Sequence, residues 1–511
     1  MNTISIYTGH DANISLKIGQ DYKIFELEKL FKIKHFHLSE GDNNSWDYFS
    51  KNLKTSLDYI LDDLKIENDF DLLCLGYDHD YGNHEKINKF INFKRVKKFH
   101  HHLSHAACAF YQSPFEKSIV ISYDGGGSDG CFVIYLADRN LNKFDIIKSI
   151  PINFGQFYLF CASCVPSLQN TGGLDLSGKF MGLCAYGDVN NKFESDIYDM
   201  FYNTNYDKVP SLKNKIFECT SKNESDEYDF AATVQSIFEK EFFKQVEDIL
   251  NLYKYPICVS GGCALNVLIN QKLSEIANRP VFVPPNPNDC GLSLGQLFLG
   301  DPPKSKVDVF NLGMKFDDQE KYDDSTISKK KCTLEDVASL IKSGKIVGFI
   351  NGNIECGPRA LGNRSILCNP SVSMMKDILN SKVKFREWYR PFAPVCLVKD
   401  ASKYFVTNEN SCYDSMSFAP KVKKHYIEKL SSITHIDYTS RLQTIDDDDH
   451  PLYKLLVEYS KISEIPVLLN TSFNIRGRPI LNSMNDAINV IQDTELDYVY
   501  YNNYLYFKKI V

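Results

Sequence analysis

The 511-residue sequence lacks the features that mark membrane and secreted proteins. It contains no run of about 18 apolar residues, the length that a membrane-spanning helix requires. Its opening residues, MNTISIYTGHD, lack the charged and apolar regions of a secretory signal. We therefore expect a soluble, cytoplasmic protein without membrane partners. The net charge of −7 argues against a surface that wraps nucleic acid throughout, although a local basic patch is compatible with it.

The cysteines lack the spacing of a disulfide framework or a zinc ribbon. There are 15 of them, an odd number, and most lie in apolar segments such as Leu72-Leu73-Cys74, as buried thiols of a reducing compartment do. Cys161 and Cys164 form a CxxC pair without a second pair. A structural role is therefore favoured over a metal or redox role for them.

The composition provides ample material for more than one core. Hydrophobic residues make up 43% of the chain and aromatic residues 13%, and single cores rarely grow beyond about 250 to 300 residues. Residues 301–331 differ in character, with two adjacent prolines, mixed charge and the run Lys329-Lys330-Lys331. We therefore predict a first domain at 1–310, a linker at 311–331 and a second domain at 332–511.

Two units of the first domain share a strand-turn-strand pattern. Residues 3–8 and 14–18 read as strands around a turn that carries Gly9, His10 and Asp11. The segments 118–123 and 131–136 repeat this pattern around a glycine-rich turn. Such a duplication is what an actin-like ATPase fold requires. Apolar spacing also predicts helices over 46–64, 230–253 and 333–343, whereas the glycine-rich stretch 179–187 predicts only a tight turn.

A histidine-rich stretch, HHLSHA, lies between these two units. His101 and His105 are four residues apart and so share one face of a helix. The strand 118–123 that follows is expected to end on Asp124. Two imidazoles beside a carboxylate predict a divalent metal site, although an isolated HxxxH pattern more often marks partly buried histidines. Asp289 lies in Asp289-Cys290-Gly291. An Asp beside a glycine is usually a turn residue, but Asp289 is also the candidate second carboxylate of the metal site.

Two glycine turns are candidates for nucleotide binding. Gly125 and Gly126 follow the strand that leads to Asp124, and their backbone N–H groups are free to approach phosphate. Gly261 and Gly262 join a strand to a helix, where a nucleotide phosphate can lie near the helix N-terminus. A turn that needs no side chain is the alternative explanation of the second pair.

The second domain is unusually dense in cations that lie among glycines, prolines and small polar residues. These are Arg359, Arg364, Lys382, Lys384, Arg386, Arg390, Arg441, Arg476 and Arg478. Fixed guanidinium groups suit bidentate recognition of phosphate or carboxylate, so we predict an oxyanion site in preference to surface salt bridges. The acidic run 446–449 reads as an exposed loop.

A basic run precedes the histidines. Lys86 to Lys98 contains six cations, with Phe90 and Phe93 between them. Such a run is usually a solvated face. The alternative is a funnel for an anionic substrate or for nucleic acid.

Four motifs, in this order, make the chain resemble the O-carbamoyltransferase family that includes the nodulation, cephamycin and tobramycin carbamoyltransferases. They are HHLSHA at 101–106, GPRALGNRSIL at 357–367, VKFREWYRPFAP at 383–394 and LLNTSFNIRGRPI at 468–480. The resemblance covers nearly the whole chain. It implies an α/β protein with an actin-like (ASKHA) N-terminal domain, akin to the TsaD-like threonylcarbamoyl-transferring ATPases of tRNA modification, and a YrdC-like C-terminal domain.

The resemblance also implies a reaction and a set of site residues. The C-terminal domain would convert carbamoyl phosphate and ATP to carbamoyl-adenylate, and the N-terminal domain would transfer the carbamoyl group to an acceptor hydroxyl. The residues that match family positions are His101, His105, Asp124 and Asp289 for the metal, expected to be iron(II); Gly261, Gly262 and Asn266 for the nucleotide; Arg359, Lys384, Arg390, Arg441 and Ser472 for carbamoyl phosphate; and His10, Asp11 and Lys34 on the acceptor side. Asp11 or His10 is the candidate general base.

The chain departs from the family pattern at two places. Asn351-Gly352-Asn353 stands where a glutamine-glycine-arginine is frequent, and Ser177 stands where an acidic residue is frequent. The acceptor stays open: a sugar, a natural product, or a nucleic-acid hydroxyl such as a hydroxymethylated pyrimidine in DNA. The alternative functions are a tRNA threonylcarbamoyl-transfer ATPase and a non-catalytic module that binds metal and nucleotide.

Overall fold

A computed structural model describes residues 1–38, 46–77, 87–202, 209–223, 225–319, 321 and 325–509. Lys86 of the basic run lies outside them. Among these residues, every helix is too short or too polar to span a bilayer.

The N-terminal half contains two five-stranded sheets. The strands of the first are β1 (Thr3–Tyr7), β2 (Asn13–Ile18), β3 (Asp21–Glu26), β5 (Leu72–Gly76) and β7 (Val96–Phe99), while β4 (Asp69–Phe70) and β6 (Asn92–Phe93) form a separate pair. The strands of the second are β8 (Lys117–Gly127), β9 (Gly130–Asp138), β10 (Lys143–Ile150), β11 (Ile257–Ser260) and β12 (Val281–Phe282).

The two sheets have the same topology. Their orders are β3-β2-β1-β5-β7 and β10-β9-β8-β11-β12. In each sheet, the three strands that come first in sequence pair antiparallel. The remaining two strands lie on the other side of the first strand and run parallel to it. This duplicated order is the actin-like fold, so the prediction from the repeated strand-turn-strand units is confirmed.

Ten helices are described in the N-terminal half. They are α1 (Leu27–Phe31), α2 (Trp46–Leu64), α3 (His101–Gln112), α4 (Phe154–Ser163), α5 (Asp175–Leu183), α6 (Asn191–Tyr202), α7 (Val209–Lys222), α8 (Ser225–Leu252), α9 (Val267–Ala277) and α10 (Leu292–Gly300). Helices α3 and α10 pack together in the core, and α8 places Phe238 and Phe242 beside α4 and β8. The predicted helices over 46–64 and 230–253 are confirmed.

Two local predictions for this half are wrong. Residues 179–187 do not form a tight turn, because α5 runs to Leu183 and a 3-10 turn follows over Cys184–Tyr186; the apolar side chains of this stretch pack on α8, which favours helix despite the glycines. The strand that leads to Asp124 continues to Gly127, although its regular pairing with β9 is interrupted after Tyr123.

The C-terminal half is built on one mixed sheet in the order β13-β20-β19-β14-β15-β18-β16-β17. Its strands are β13 (Ile327–Lys331), β14 (Val347–Ile350), β15 (Arg364–Cys368), β16 (Ala393–Leu397), β17 (Gln443–Ile445), β18 (Leu468–Ser472), β19 (Tyr498–Tyr501) and β20 (Tyr504–Lys508). Its helices are α11 (Leu334–Lys342), α12 (Met375–Ile378), α13 (Val398–Tyr404), α14 (Pro451–Ile462) and α15 (Met484–Asp493).

The helix predicted over 333–343 is confirmed, and the acidic run 446–449 is exposed as predicted. The lysine run 329–331, which the sequence places in a linker, lies in β13 at the edge of this sheet. Charged side chains on an edge strand discourage pairing with other chains. The YrdC-like architecture of this half stays a prediction.

Candidate active site

Four side chains converge beside the N-terminus of α3. The Nε2 atoms of His101 and His105 are 3.2 Å apart. Nε2 of His105 lies 3.0 Å from Oδ2 of Asp124 and 3.4 Å from Oδ1 of Asp289. All four ligand atoms lie within 4.8 Å of one another. The structure therefore brings together the four residues that the sequence nominates as metal ligands.

Glycines let the three segments of this cluster approach each other. A side chain at Gly127 would place its Cβ 2.5 Å from Cβ of His101, so β8 can lie against that ring only because position 127 has none. In α10, a Cβ at Gly295 would overlap the carbonyl oxygen of Ser104. Helix α3 is thereby held against the turn that carries Asp289.

A second layer of groups orients the two carboxylates. The Tyr7 hydroxyl donates to Oδ2 of Asp289 at 2.5 Å, and Nε2 of His10 lies 3.2 Å from the same oxygen. The other oxygen of Asp289 is left facing the imidazoles. Oδ2 of Asp124 accepts the Gly262 N–H at 2.7 Å. Such outer partners are typical of metal ligands in proteins.

The donor set fits a divalent transition metal. Two imidazole nitrogens and two carboxylate oxygens suit ions such as iron(II) or zinc. The cluster is buried, with His105 fully inaccessible and Asp289 only 2% exposed. Two carboxylates this close repel each other, and a bound cation would relieve that repulsion.

The acceptor-side residues form a chain of alternating bases and acids. Nδ1 of His10 lies 3.3 Å from Asp11, whose other oxygen is 2.6 Å from Nδ1 of His35. Nε2 of His35 lies 3.6 Å from Asp175, which also pairs with Lys34. The three predicted residues are thus linked through two others, His35 and Asp175.

The residues of this acid-base series are unusual in backbone conformation and in pKa. Asp11 and His35 adopt left-handed φ angles of 57° and 53°, a conformation that costs free energy in non-glycine residues and is concentrated at functional sites. The Asp289 carboxylate raises the pKa of His10 to about 9. Burial lowers the pKa of His35, but its hydrogen bonds to Asp11 and Asp175 and the charge of Asp11 together outweigh burial and raise the pKa to about 10.

His35, Asp175 and Tyr7 were missed by the sequence reasoning. The available signals were weak: His35 directly follows Lys34, and Tyr7 ends the strand before the His10 turn. Asp175 is separated from its partners by about 140 residues, and local pattern carries no information on such a contact.

The predicted nucleotide-binding residues lie around Asp124. The N–H groups of Gly125 and Gly262 both donate to its carboxylate, at 2.5 and 2.7 Å. Gly261 has a φ of +88° and lies against the Tyr123 carbonyl, where a side chain would overlap it. Asn266 caps α9 by accepting the Ile269 N–H. Gly126, with a φ of +126°, completes the turn after Asp124. Nucleotide binding by these residues stays a prediction.

In the C-terminal half, Lys384 organises the predicted phosphate pocket. Its ammonium group donates to the carbonyl of Ser472 at 2.7 Å, lies 3.2 Å from the Ser472 hydroxyl, and also donates to Asn474. Lys384 is 4% exposed. Burial and then the charges of Arg386, Arg390 and Lys34 lower its pKa well below the usual value.

Three arginines of the pocket repel one another. Burial, and then the charge of Arg390, lowers the pKa of Arg359 to about 10. Burial, and then Arg359, Arg386 and Arg390, lower the pKa of Arg441 well below its usual value. The buried Nε of Arg441 has no hydrogen-bond partner. Three cations kept close together, with Glu387 at 3.8 Å from Arg390 as a loosely paired acid, indicate an anion-binding site.

Two other arginines of this half are structural. The Arg364 guanidinium donates to the carbonyls of Asn351, Gly352 and Asn363 and to Oδ1 of Asn482. Arg386 donates to Asn380 and to a backbone carbonyl. The sequence-based inclusion of Arg364 among oxyanion-binding candidates is therefore wrong, because both terminal nitrogens of its guanidinium are engaged by the protein itself and the side chain is fully buried.

The described part of the basic run lies at an edge of the first sheet. Lys97 and Lys98 belong to the edge strand β7. Lys94 pairs with Asp71 at 2.8 Å, and Lys89 lies over the Trp46 ring. Lysines that contact neighbouring surface side chains in this way are typical of a solvated face.

Comparison with known families decides the class of this protein. The family model described as Carbamoyltransferase N-terminus matches residues 11–297, and the model described as Carbamoyltransferase C-terminus matches residues 338–508. The chain belongs to the carbamoyltransferase family. The match spans both halves, and the protein is a carbamoyltransferase.

Relatives of this carbamoyltransferase include nodulation proteins. Nodulation protein NolO of Bradyrhizobium diazoefficiens is 31% identical, over 78% of this chain and 76% of its own. Nodulation protein U of Sinorhizobium fredii is 31% identical, over 75% and 73%. An uncharacterized protein of Methanocaldococcus jannaschii is 30% identical, over 98% and 99%. Among solved structures, HypF in its phosphate- and nucleotide-bound form has a TM-score of 0.36 at 14% identity, over 58% of this chain and 46% of that one.

Proposed function

We propose that the protein is an ATP-dependent O-carbamoyltransferase with a donor site in its C-terminal half and a transfer site in its N-terminal half. The donor half would form carbamoyl-adenylate from carbamoyl phosphate and ATP. The transfer half would pass the carbamoyl group to an acceptor hydroxyl. The observation that carries the proposal is the proximity of Arg359, Arg390 and Arg441, whose charges lower one another's pKa values. The buried Lys384, whose pKa is also lowered by Arg390, holds Ser472 and Asn474 beside them.

The cluster suits carbamoyl phosphate because the charges are complementary. A phosphate dianion would remove the repulsion between Arg359, Arg390 and Arg441 and supply acceptors for their unused N–H groups. The Ser472 hydroxyl accepts from Lys384 and donates to Oδ1 of Asn474, so these three side chains fix the edge of the pocket. Formation of carbamoyl-adenylate from these two substrates consumes one water and releases both phosphate and pyrophosphate.

The transfer half would hold its metal through His101, His105, Asp124 and Asp289, and iron(II) is the ion that we expect. Bound there, a divalent cation supplies Lewis acidity that stabilises charge on a phosphate or carbonyl oxygen. The protein's own contribution is to fix these ligands through Tyr7 and through the glycine N–H groups on Asp124.

We infer that His10 accepts the proton of the acceptor hydroxyl, a role that requires its neutral imidazole. The negative charge of Asp289, which raises the pKa of His10 to about 9, would therefore have to be offset when the site is loaded. The His10 side chain is 39% exposed, whereas the Asp11 side chain is 7% exposed and already contacts both His10 and His35. His10 can therefore reach an incoming hydroxyl, while Asp11 orients the imidazole. Lys34, which is 33% exposed, lies where it can contact the acceptor.

The test is pyrophosphate release from the purified protein supplied with iron(II), ATP and carbamoyl phosphate. Release should require both substrates and should be lost in Lys384→Met. The matched control is Lys345→Met, which removes a surface cation of the same half that pairs with Asp497. Absence of pyrophosphate release from the wild-type protein would refute the proposal.

The acceptor is identified by mass spectrometry of two acceptor pools. One pool contains sugars and aminoglycosides, and the other contains DNA with hydroxymethylated pyrimidines. Gain of one carbamoyl group on DNA, together with a steep salt dependence, would assign the basic run to substrate binding. Gain only on the small molecules would leave the run as a solvated face.

A further inference from the structure

A buried ion pair of the N-terminal half forms hydrogen bonds to a loop of the C-terminal half. Glu26 and Lys29 lie 2.6 Å apart, with side chains 5% and 1% exposed. The other oxygen of Glu26 accepts the Gly357 N–H at 2.6 Å. The Lys29 ammonium donates to the carbonyls of Glu355 and Gly357 at 2.8 and 3.4 Å. The pair thus holds both the N–H and the carbonyl of a residue that lies two positions before Arg359.

The same loop is seated directly on the N-terminal half. Gly357 has a φ of +98°, and a side chain there would overlap the carbonyl of Pro285. Pro285 belongs to the segment that leads to the metal ligand Asp289. The N-terminal half therefore determines where the backbone before Arg359 lies.

A second ion pair crosses the interface beside Arg390. The ammonium of Lys179, on α5, lies 2.7 Å from Oε1 of Glu387 and also donates to the hydroxyl of Thr171. Two other cations face Glu387: Arg476 at 3.5 Å and Arg390 at 3.8 Å. Lys179 is thus the nearest partner of this carboxylate, and Arg390 is only loosely paired.

We propose that Glu26–Lys29 and Lys179–Glu387 are positioning pairs through which the N-terminal half completes the donor site. The first pair would place Arg359 by its backbone. The second would occupy Glu387 so that the Arg390 guanidinium stays available to an anion. The proposal rests on the proposed function, because it takes these two arginines to bind carbamoyl phosphate.

The physical reason is competition between partners. Without Lys179, the Glu387 carboxylate would draw its two remaining cations, Arg476 and Arg390, closer, and would compete with the donor for Arg390. Without Lys29, Glu26 would be a buried carboxylate lacking its cation, and the carbonyls of Glu355 and Gly357 would lose a donor. Small displacements of binding groups of this kind reduce binding and rate steeply.

The experiment is calorimetric titration of carbamoyl phosphate into the full-length protein and its variants. Lys179→Met and Lys29→Met should each weaken binding about 10-fold or more. Lys179→Arg should restore most of the affinity, since an arginine can pair with Glu387. Lys345→Met, a surface variant of the same charge change, should bind as the wild type does. In the pyrophosphate assay, Lys179→Met should raise KM for carbamoyl phosphate more than it lowers kcat.

The outcomes separate the two levels of the proposal. If the wild type does not bind carbamoyl phosphate, both the proposed donor site and the proposed positioning role are refuted. If the wild type binds it and Lys179→Met binds equally well, the positioning role alone is refuted. Thermal unfolding of each variant reports whether it is folded, and if Lys29→Met does not fold, Lys179→Met decides the question.

Discussion

Replacement of Arg359 by methionine should stabilise the fold while destroying the donor site. The Arg359 guanidinium is partly buried, and its charged neighbour Arg390 repels it. Burial and repulsion both disfavour its charged form, and a methionine of similar length removes both costs. The same change removes a group proposed to bind phosphate. Stability and donor affinity should therefore change in opposite directions.

The magnitude follows from the pKa of Arg359. Its fall from 12.5 to about 10 corresponds to roughly 3.4 kcal/mol at neutral pH, at about 1.36 kcal/mol for each pKa unit. Solvent screening and relaxation of the side chain reduce this value. We expect Arg359→Met to raise the free energy of unfolding by about 1 to 2 kcal/mol, in the range measured when buried charges are replaced by apolar groups.

Arg364→Met is the matched control. Burial also lowers the pKa of Arg364 to about 10, but its guanidinium donates to three backbone carbonyls and to Asn482 and lies over the Phe316 ring. Its removal would leave these acceptors unpaired, at a cost of about 3 kcal/mol or more. Two arginines with similar pKa values should thus give opposite changes in stability.

Urea unfolding measures both variants, and calorimetric titration with carbamoyl phosphate measures donor binding. The measurement is made without ligand, because phosphate would stabilise the wild type selectively. If Arg359→Met is destabilised and still binds carbamoyl phosphate, the interpretation of the cation cluster as an unsatisfied anion site is wrong.

Three further predictions concern the N-terminal half. Removal of the metal with a chelator should lower the thermal midpoint, since an ion present at 100 times its Kd contributes about 2.7 kcal/mol; an unchanged midpoint after iron(II) is added back would count against the metal site. Gly127→Ala should weaken metal binding by displacing His101, seen as a loss of the cobalt(II) absorption spectrum, whereas Gly172→Ala, at a position with open space, should have no effect. The ion pair of His35 with Asp11 should stabilise the fold fully below pH 6.5 and lose its contribution as the pH rises through about 10. The difference in unfolding free energy between wild type and His35→Asn should therefore shrink over that range. A difference that does not change with pH would contradict the pairing.

Part of this architecture could be predicted from local pattern alone. The repeated strand-turn-strand units indicated the duplicated sheets, because alternation and turn residues act over a few positions. The spacing of His101 and His105 placed both imidazoles on one helical face for the same reason. The order of the motifs also indicated the carbamoyltransferase family, since each motif is a short run of neighbouring residues.

What only the tertiary structure decided is how distant groups are paired. Arg359 and Arg364 lie five residues apart in one motif, yet Arg359 lies beside a second cation, Arg390, whereas Arg364 donates to three backbone carbonyls. His35 and Asp175 join the site through contacts across many residues of sequence. A residue's type determines which bonds it can form, but which partners lie within about 3 Å depends on the packing of the whole chain.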